Sequence, residues 1–407
     1  MSSGQAILSL TGNCFFQDRP SAYTDPRFLQ LVQLLRGSDC AMTNLEFVIH
    51  DGEPFPAYVA GGRAASYLAA PPHVVAELKW MGINLVYAAN NHVHDFAEDG
   101  VMTTIKYLKA GGLAYAGIGP SLTTSTAPGY YQTDKGRVAL VSASDWGPRG
   151  MADIPFQMPT GVMPGDADAF FKARPGINLL RYDAVTTVDK EAIAALKRIS
   201  KELGWEQSKA GRRAGGGRAE AFVTQSILGA EQDNAKQFHF MGRKFMPGKS
   251  FGFFTEAYEA DLQRNFKWVR EARRTADFVV AALHDQGSRR ESDEEHVRAF
   301  CRGSIDAGAD IAVAHGGRLG GIEIYKGKVI LYGCPPFYFQ NESIRHNPPE
   351  LKMRYGLDPT STTAEFLEER AKGEAVGGSV VGMRRDEFGR GSVLQQVVFD
   401  DNREPKD

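Results

Sequence analysis

Tyr87-Ala88-Ala89-Asn90-Asn91-His92-Val93-His94-Asp95 is the stretch on which the reading of this chain turns. The apolar run before it, Ile83 to Tyr87, has the length and composition of a buried strand. The segment after it, from about Glu98 to Ala110, carries Val101, Ile105 and Leu108 at helical spacing. Strand, polar cluster and helix is the layout in which α/β proteins place chemistry at strand C-terminal ends. Each residue has a bland alternative. Asn90 or Asn91 could cap a turn, His92 could be a hydrogen-bonded core imidazole, and Asp95 could cap the next helix. Taken together, amides, imidazoles and a carboxylate are donors that suit a hard or borderline divalent metal.

The same rhythm recurs on both sides. Ala6 to Leu10 reads as a strand that runs into Thr11-Gly12-Asn13-Cys14, with Gly12 permitting a tight turn and Asn13 at the strand end. Asp25 to Leu35 is an amphipathic helix; Cys40 to Thr43 is a strand followed at once by Asn44-Leu45-Glu46. Pro71 to Met81 is a helix with proline at its start. Downstream, Arg137 to Ser144 is a strand ending at Asp145, and Asp277 to Leu283 is a strand ending at His284-Asp285. A helix over Glu294 to Ala307 leads to the strand Ile311–Ala314, which ends in His315-Gly316-Gly317-Arg318, and a β-hairpin follows over Gly321–Tyr332.

Between about 146 and 275 the alternation breaks. Gly- and Pro-rich pieces flank a helical stretch at Val188 to Leu203, and Arg212–Arg218 is a basic, glycine-rich loop. That loop reads as a solvated linker, because no strand–GxxxxGK[ST]–helix context surrounds it. So long a connection exceeds any ordinary αβ loop. The expected organisation is a catalytic domain from residues 1–145 and 260–407, with an inserted cap or lid at 146–259.

Composition narrows the function classes. The 407 residues are 43% hydrophobic and 24% charged, with a net charge of −2. Those values belong to a globular protein and give no general surface for nucleic acid or anionic membrane. Cys14, Cys40, Cys301 and Cys334 are widely spaced and read as free thiols of a reducing compartment. The N-terminus lacks the features of a signal peptide, and no apolar run reaches membrane-spanning length, so a cytoplasmic location is expected.

Six strand ends therefore carry potential donors: Asn13, Glu46, the Asn90–Asp95 cluster, Asp145, His284 and His315. In an α/β sheet such ends converge on one edge, and this mixture fits Mn²⁺, Zn²⁺ or Fe²⁺ better than all-oxygen Ca²⁺.

These pieces resemble the CapA family, the capsule-biosynthesis and poly-γ-glutamate synthesis type proteins. Asn44-Leu45-Glu46 is similar to the family's NLE, Ala89-Asn90-Asn91-His92 with Asp95 to its ANNHxxD, and Tyr115–Gly119 to its YAGAG. The strand ending at His284 resembles the one ending in HWG, and Ala307–Asp310 with His315 resembles the run ending in GHHPH. Ile322–Ile330 resembles the hairpin after it. Three positions depart from the pattern. The first-strand Gly-Asp appears as Gly12-Asn13, HWG as His284-Asp285-Gln286, and HPH as His315-Gly316-Gly317-Arg318.

The resemblance implies a layered, metallophosphatase-like α/β/β/α sandwich carrying a large inserted cap. It implies a divalent metal (Mn, Zn or Fe; one ion, given the lost ligands) on Asn13, Glu46, Asn91, His284 and His315. His92, His315 and Asp95 become the catalytic candidates, and Arg318, Asp145 and Asn90 the substrate-binding ones. The implied activity is metal-dependent hydrolysis, through metal-bound water, of an amide or other C–N bond (peptide-like, γ-glutamyl-like or lactam). The substrate is a carboxylated small molecule or peptide. Three rivals stand beside it: a phosphoesterase, an acid/base peptide epimerase (a lasso-peptide epimerase resembles the same family), and a non-catalytic binding or assembly protein. Neither nucleic acid nor membrane is an expected partner, and a homodimer is compatible with this reading.

Overall fold

Alternation along the strands builds the layers of this protein. The computed structural model describes residues 5–57, 66–145, 163–207, 233–240, 243–285, 295–316, 320–340, 343–372, 394–400 and 405. One sheet runs in the order Tyr338–Phe339, Ala6–Phe15, Cys40–Leu45, Ile83–Tyr87, Ala114–Ala116, all parallel. Gln395–Phe399 pairs antiparallel with the first half of Ala6–Phe15. The second sheet runs Ile322–Tyr325, Lys328–Tyr332, Ile311–His315, Phe278–His284, Gly136–Ser144, Gly129–Thr133. Its four central strands are parallel and its outer two antiparallel.

Successive side chains on a strand point to opposite faces. Leu8, Leu10, Met42, Leu85 and Tyr87 from the first sheet therefore meet Leu140, Val280, Ala282, Val313 and Leu331 from the second in one buried cluster between the sheets. Their strand neighbours face outward. Val141, Val279, Ala281 and Ala312 pack against Val269, Val297 and Phe300 of the helices Glu259–Thr275 and Glu295–Asp306. Ala41, Ile83 and Val86 pack against Val32, Leu78 and Leu108 of the helices Pro26–Arg36, Val74–Met81 and Ala97–Ala110. Helix, sheet, sheet, helix is the result, as the sequence predicts. Burying each Leu, Ile or Val in these three cores stabilises the fold by about 1.5–3 kcal/mol.

Local chemistry sets the ends of the elements. Asp25 caps its helix by accepting from Arg27 N at 2.8 Å, with Pro26 at the first helical position. Gly82 closes the Val74–Met81 helix at φ 96°, a left-handed conformation that turns the chain into the Ile83 strand. Gly12 has a different role from the one expected. The strand continues past Leu10 to Phe15 with a register shift between Leu10 and Asn13, and Gly12 lies inside it. A Cβ there would stand 2.1 Å from the Pro335 carbonyl oxygen, so glycine serves a close backbone approach rather than a turn.

The inserted segment has its own sheet. Phe238–Phe240, Arg243–Pro247, Tyr182–Val188 and Gly252–Ala257 pair in that order, beside the helix Lys190–Glu202, whose N-cap Asp189 accepts from Ala192 N at 2.8 Å. Just before this sheet the chain dips into the main body. Gly176–Ile177 pairs with Ile118–Gly119, and Asn178 Nδ2 donates to Asn265 Oδ1 at 2.7 Å. Arg181 then donates through Nε and Nη2 to both oxygens of Asp261, each at 2.7 Å. The Arg212–Arg218 loop and Arg318 lie outside the described residues. Among the described residues no helix is long and apolar enough to cross a membrane, and all four cysteines are buried and in no disulfide.

Candidate metal centre

Parity along the strands decides where each polar side chain at the sheet edge goes. His284 follows Val280 and Ala282, and His315 follows Val313, so both imidazoles turn into the space between the sheets. The two residues are register partners, and their Nδ1 atoms lie 3.3 Å apart. From the first sheet, Asn13 and Asn44 are register partners, and Asn44 Nδ2 donates to Asn13 Oδ1 at 2.9 Å. Asn44 Nδ2 also lies 3.4 Å from His284 Nδ1. Beyond Tyr87, whose ring lies 4.8 Å from that of His315 and tilted 30° to it, the chain leaves the sheet and brings in Asn91. Its Oδ1 lies 2.9 Å from His284 Nε2, and Glu46 Oε1 lies 3.9 Å from the same nitrogen.

This arrangement suits a cation. In this network a neutral His284 donates Nε2–H to Asn91 and accepts at Nδ1 from the Nδ1–H of His315, the tautomers being assigned from the hydrogen bonds, so His284 would ligate a cation by giving up its contact with His315. Among the described residues, His315 Nε2 is then a bare, buried lone pair without a partner, and so is Glu46 Oε2. Buried acceptors left unsatisfied are costly, and a cation or a hydrogen-bond donor at this edge would relieve either of them. Burial, with His315 and His92 nearby, pulls the His284 pKa well below the usual imidazole range. Burial pulls His315 down to about 3. Both rings are thus held neutral, the state in which imidazole ligates metal. Burial pushes the Glu46 carboxyl up to about 7, against the pull of His92 and the Asn13 hydrogen bond and with a further push from Asp95. A bound cation would return it to the carboxylate form. Asn13, Glu46, Asn91, His284 and His315 lie close together at this edge, linked through Asn44 and His284.

Behind them stands a dyad. His92 Nδ1 lies 2.7 Å from Asp95 Oδ2, and that oxygen also accepts from Leu68 N at 2.8 Å. Asp95 is fully buried, and His92 is 8% exposed. Asn90 is committed to the loop rather than left open to a substrate. Its Nδ2 donates to Leu45 O at 2.7 Å and Asn44 Oδ1 at 3.2 Å, while its Oδ1 accepts from His92 N at 3.0 Å.

Asp145 goes elsewhere. It follows Val141 and Ala143, which face the outer helices, and its Oδ2 lies 2.8 Å from His296 Nε2. Asp145, Asp285 and His296 offer ligand atoms that all lie within 4.8 Å of one another. Sequence reasoning assigned no role to Asp285 or His296. A histidine at the start of the helix after the His284 loop was the available signal. It also passed over Asn44, which links Asn13, Asn90 and His284, and His94, whose buried ring nitrogens have no hydrogen-bond partner among the described residues.

Comparison with known proteins places the chain. A family model described as "Bacterial capsule synthesis protein PGA_cap" matches residues 7–341. The chain belongs to that family. The match spans every site residue named above, and it confirms the family resemblance carried by the motifs. Two curated relatives are the uncharacterized proteins y4sH and y4uA of Sinorhizobium fredii (strain NBRC 101917 / NGR234). Each is 30% identical over 386 residues, covering 93% of this chain and 76% of the relative. A crystal structure of a putative 5'-nucleotidase from Staphylococcus aureus in complex with alpha-ketoglutarate aligns with a TM-score of 0.35 and 11% identity. That alignment covers 82% of this chain but 48% of the other, so the chain spans about half of that protein's length. A likeness so distant carries no argument about chemistry.

Proposed function

We propose that this PGA_cap-family protein is a metal-dependent hydrolase of an amide or related C–N bond in a small carboxylated substrate. Asn13, Glu46, Asn91, His284 and His315 would hold one Mn²⁺, Zn²⁺ or Fe²⁺. Such an ion supplies Lewis acidity and lowers the pKa of water towards neutrality. The chain's own residues do the rest.

One observation carries the reading: the His92–Asp95 dyad, 2.7 Å apart and beside this donor set. Burial lowers the His92 pKa, but the charge and hydrogen bond of Asp95, with Glu46 beyond, outweigh it and hold the pKa above the usual value. A raised pKa favours the protonated imidazole, the form a general acid needs. Cleavage of a C–N bond needs one, because an amine leaves only once its nitrogen has taken up a proton. Asp95 fixes Nδ1 and leaves Nε2 to deliver that proton. Arg318, three residues beyond His315, is the side chain we assign to the substrate carboxylate.

Incubation with N-acyl amino acids, γ-glutamyl peptides and lactams in deuterated, ¹⁸O-enriched water tests the reading. Label in a new carboxylate is expected. Deuterium at an intact Cα would make the protein an epimerase instead, and turnover confined to a phosphodiester would make it a phosphoesterase.

A further inference from the structure

We infer a second divalent-cation site, made by Asp145, Asp285 and His296 on the opposite face of the second sheet from His284 and His315. The inference is independent of the hydrolase reading.

Alternation creates it. His284 and Asp285 are consecutive, so the strand that sends His284 between the sheets sends Asp285 towards the outer helices. Asp145, ending the neighbouring strand, emerges on that same side, and the register keeps the two strand ends together: Ser144 pairs with His284, and Asp145 N donates to His284 O at 3.2 Å. His296, buried near the start of the Glu295–Asp306 helix, completes the set. Two carboxylate oxygens and one imidazole nitrogen within 4.8 Å suit Zn²⁺ or Mn²⁺.

The orientation of the imidazole is the second observation, and it comes from outside the cluster. Thr255 Oγ1 donates to Glu295 Oε2 at 3.1 Å, which uses its only proton. It lies 2.9 Å from His296 Nδ1, so it accepts from Nδ1–H. Nε2 therefore either carries a second proton shared with Asp145 Oδ2 at 2.8 Å or turns its lone pair to a cation that Asp145 also reaches once the two move apart. A metal-binding imidazole is held by a hydrogen bond from its other ring nitrogen, and Thr255 Oγ1, backed by Glu295, accepts that bond here. Tyr182 stacks on the His296 ring, centroids 3.9 Å apart and planes at 11°, and holds it flat. Thr255 and Tyr182 both belong to the inserted sheet. An ion here would tie that sheet, the outer helix and two strand ends into one unit beside the inter-sheet centre.

Titration of the metal-stripped full chain with Mn²⁺, counting free Mn²⁺ by its EPR signal, tests the site. The wild type should take up two equivalents and Asp285→Asn one. The double variant Glu46→Gln/His284→Ala should keep one. Circular dichroism verifies each fold, and His296→Gln replaces Asp285→Asn if that variant does not fold. Unchanged uptake in the folded outward variant overturns the inference and leaves Asp145–His296 as an ion pair only. A double variant that binds nothing overturns it too. A wild type that binds one ion, lost with Asp285→Asn and kept in the double variant, upholds this site and sinks the inter-sheet one.

Discussion

The two faces of the second sheet end in different chemistry although they belong to the same strands. Between the sheets, His284 and His315 meet amides and a single carboxylate from the first sheet, all buried and wired to one another. On the outer face, two carboxylates meet one imidazole, and the groups that orient it come from the inserted sheet. The inner set is built entirely from the two core sheets and the loops at their ends. The outer set depends on the insertion. Donor type thus follows strand parity, and support follows which layer lies opposite.

Function should divide along the same line. The largest expected effect is His92→Ala, which removes the proton donor at the inner centre. It should cost about 10²–10⁴ in rate while leaving the inner metal in place by elemental analysis. Loss of that metal would mean His92 is a ligand, and the distinction between ligand and acid at this edge would break.

Next comes the anchor between insertion and body. Asp261 is fully buried and pairs with Arg181, before the inserted sheet, and with Arg264 at 2.8 Å. Burial raises its pKa, yet the Arg181 hydrogen bonds and the Arg264 charge outweigh that and hold it below the usual carboxylate range. A depressed pKa contributes stability above the unfolded value and loses it as pH falls through the folded one. Asp261→Ala should lower stability by about 3–5 kcal/mol at neutral pH. In chemical denaturation the deficit should shrink below about pH 4, near the unfolded pKa. A deficit independent of pH would assign the effect to packing instead. Should the outer face depend on the insertion as described, this variant also weakens Mn²⁺ there more than between the sheets.

The smallest effect is the sharpest on the comparison itself. Thr255→Val removes the hydroxyl behind His296 and keeps its shape. Outer-face affinity for Mn²⁺ should fall about tenfold, the lower end for such supporting groups, with inner-centre affinity unchanged. Equal weakening at both would show that the two faces are one coupled site.

Much of this was legible before any coordinates. Ile83–Tyr87, Phe278–Leu283 and Ile311–Ala314 are buried on both faces, so they read as near-continuous apolar runs, and their polar endings stand out. That is why Glu46, Asn91, His92, His284 and His315 could be named from sequence. The inserted sheet was not legible. Tyr182–Val188 and Gly252–Ala257 mix polar, glycine and aromatic residues, because most of that sheet's surface stays partly exposed. Asp285 and His296 were missed for a related reason: their proximity arises from parity and from a helix folding back, and neither leaves a spacing to recognise. Gly12 was misread because a close approach to Pro335 O, more than 300 residues away in sequence, looks locally like a turn signal.

The central claim is a cation held between the sheets. Anomalous diffraction from crystals of the full chain grown with Mn²⁺, with data on both sides of the Mn edge, tests it most directly. The account predicts a peak ringed by Glu46, Asn91, His284 and His315. A map that shows Mn²⁺ elsewhere on the protein and none among those four side chains would contradict it.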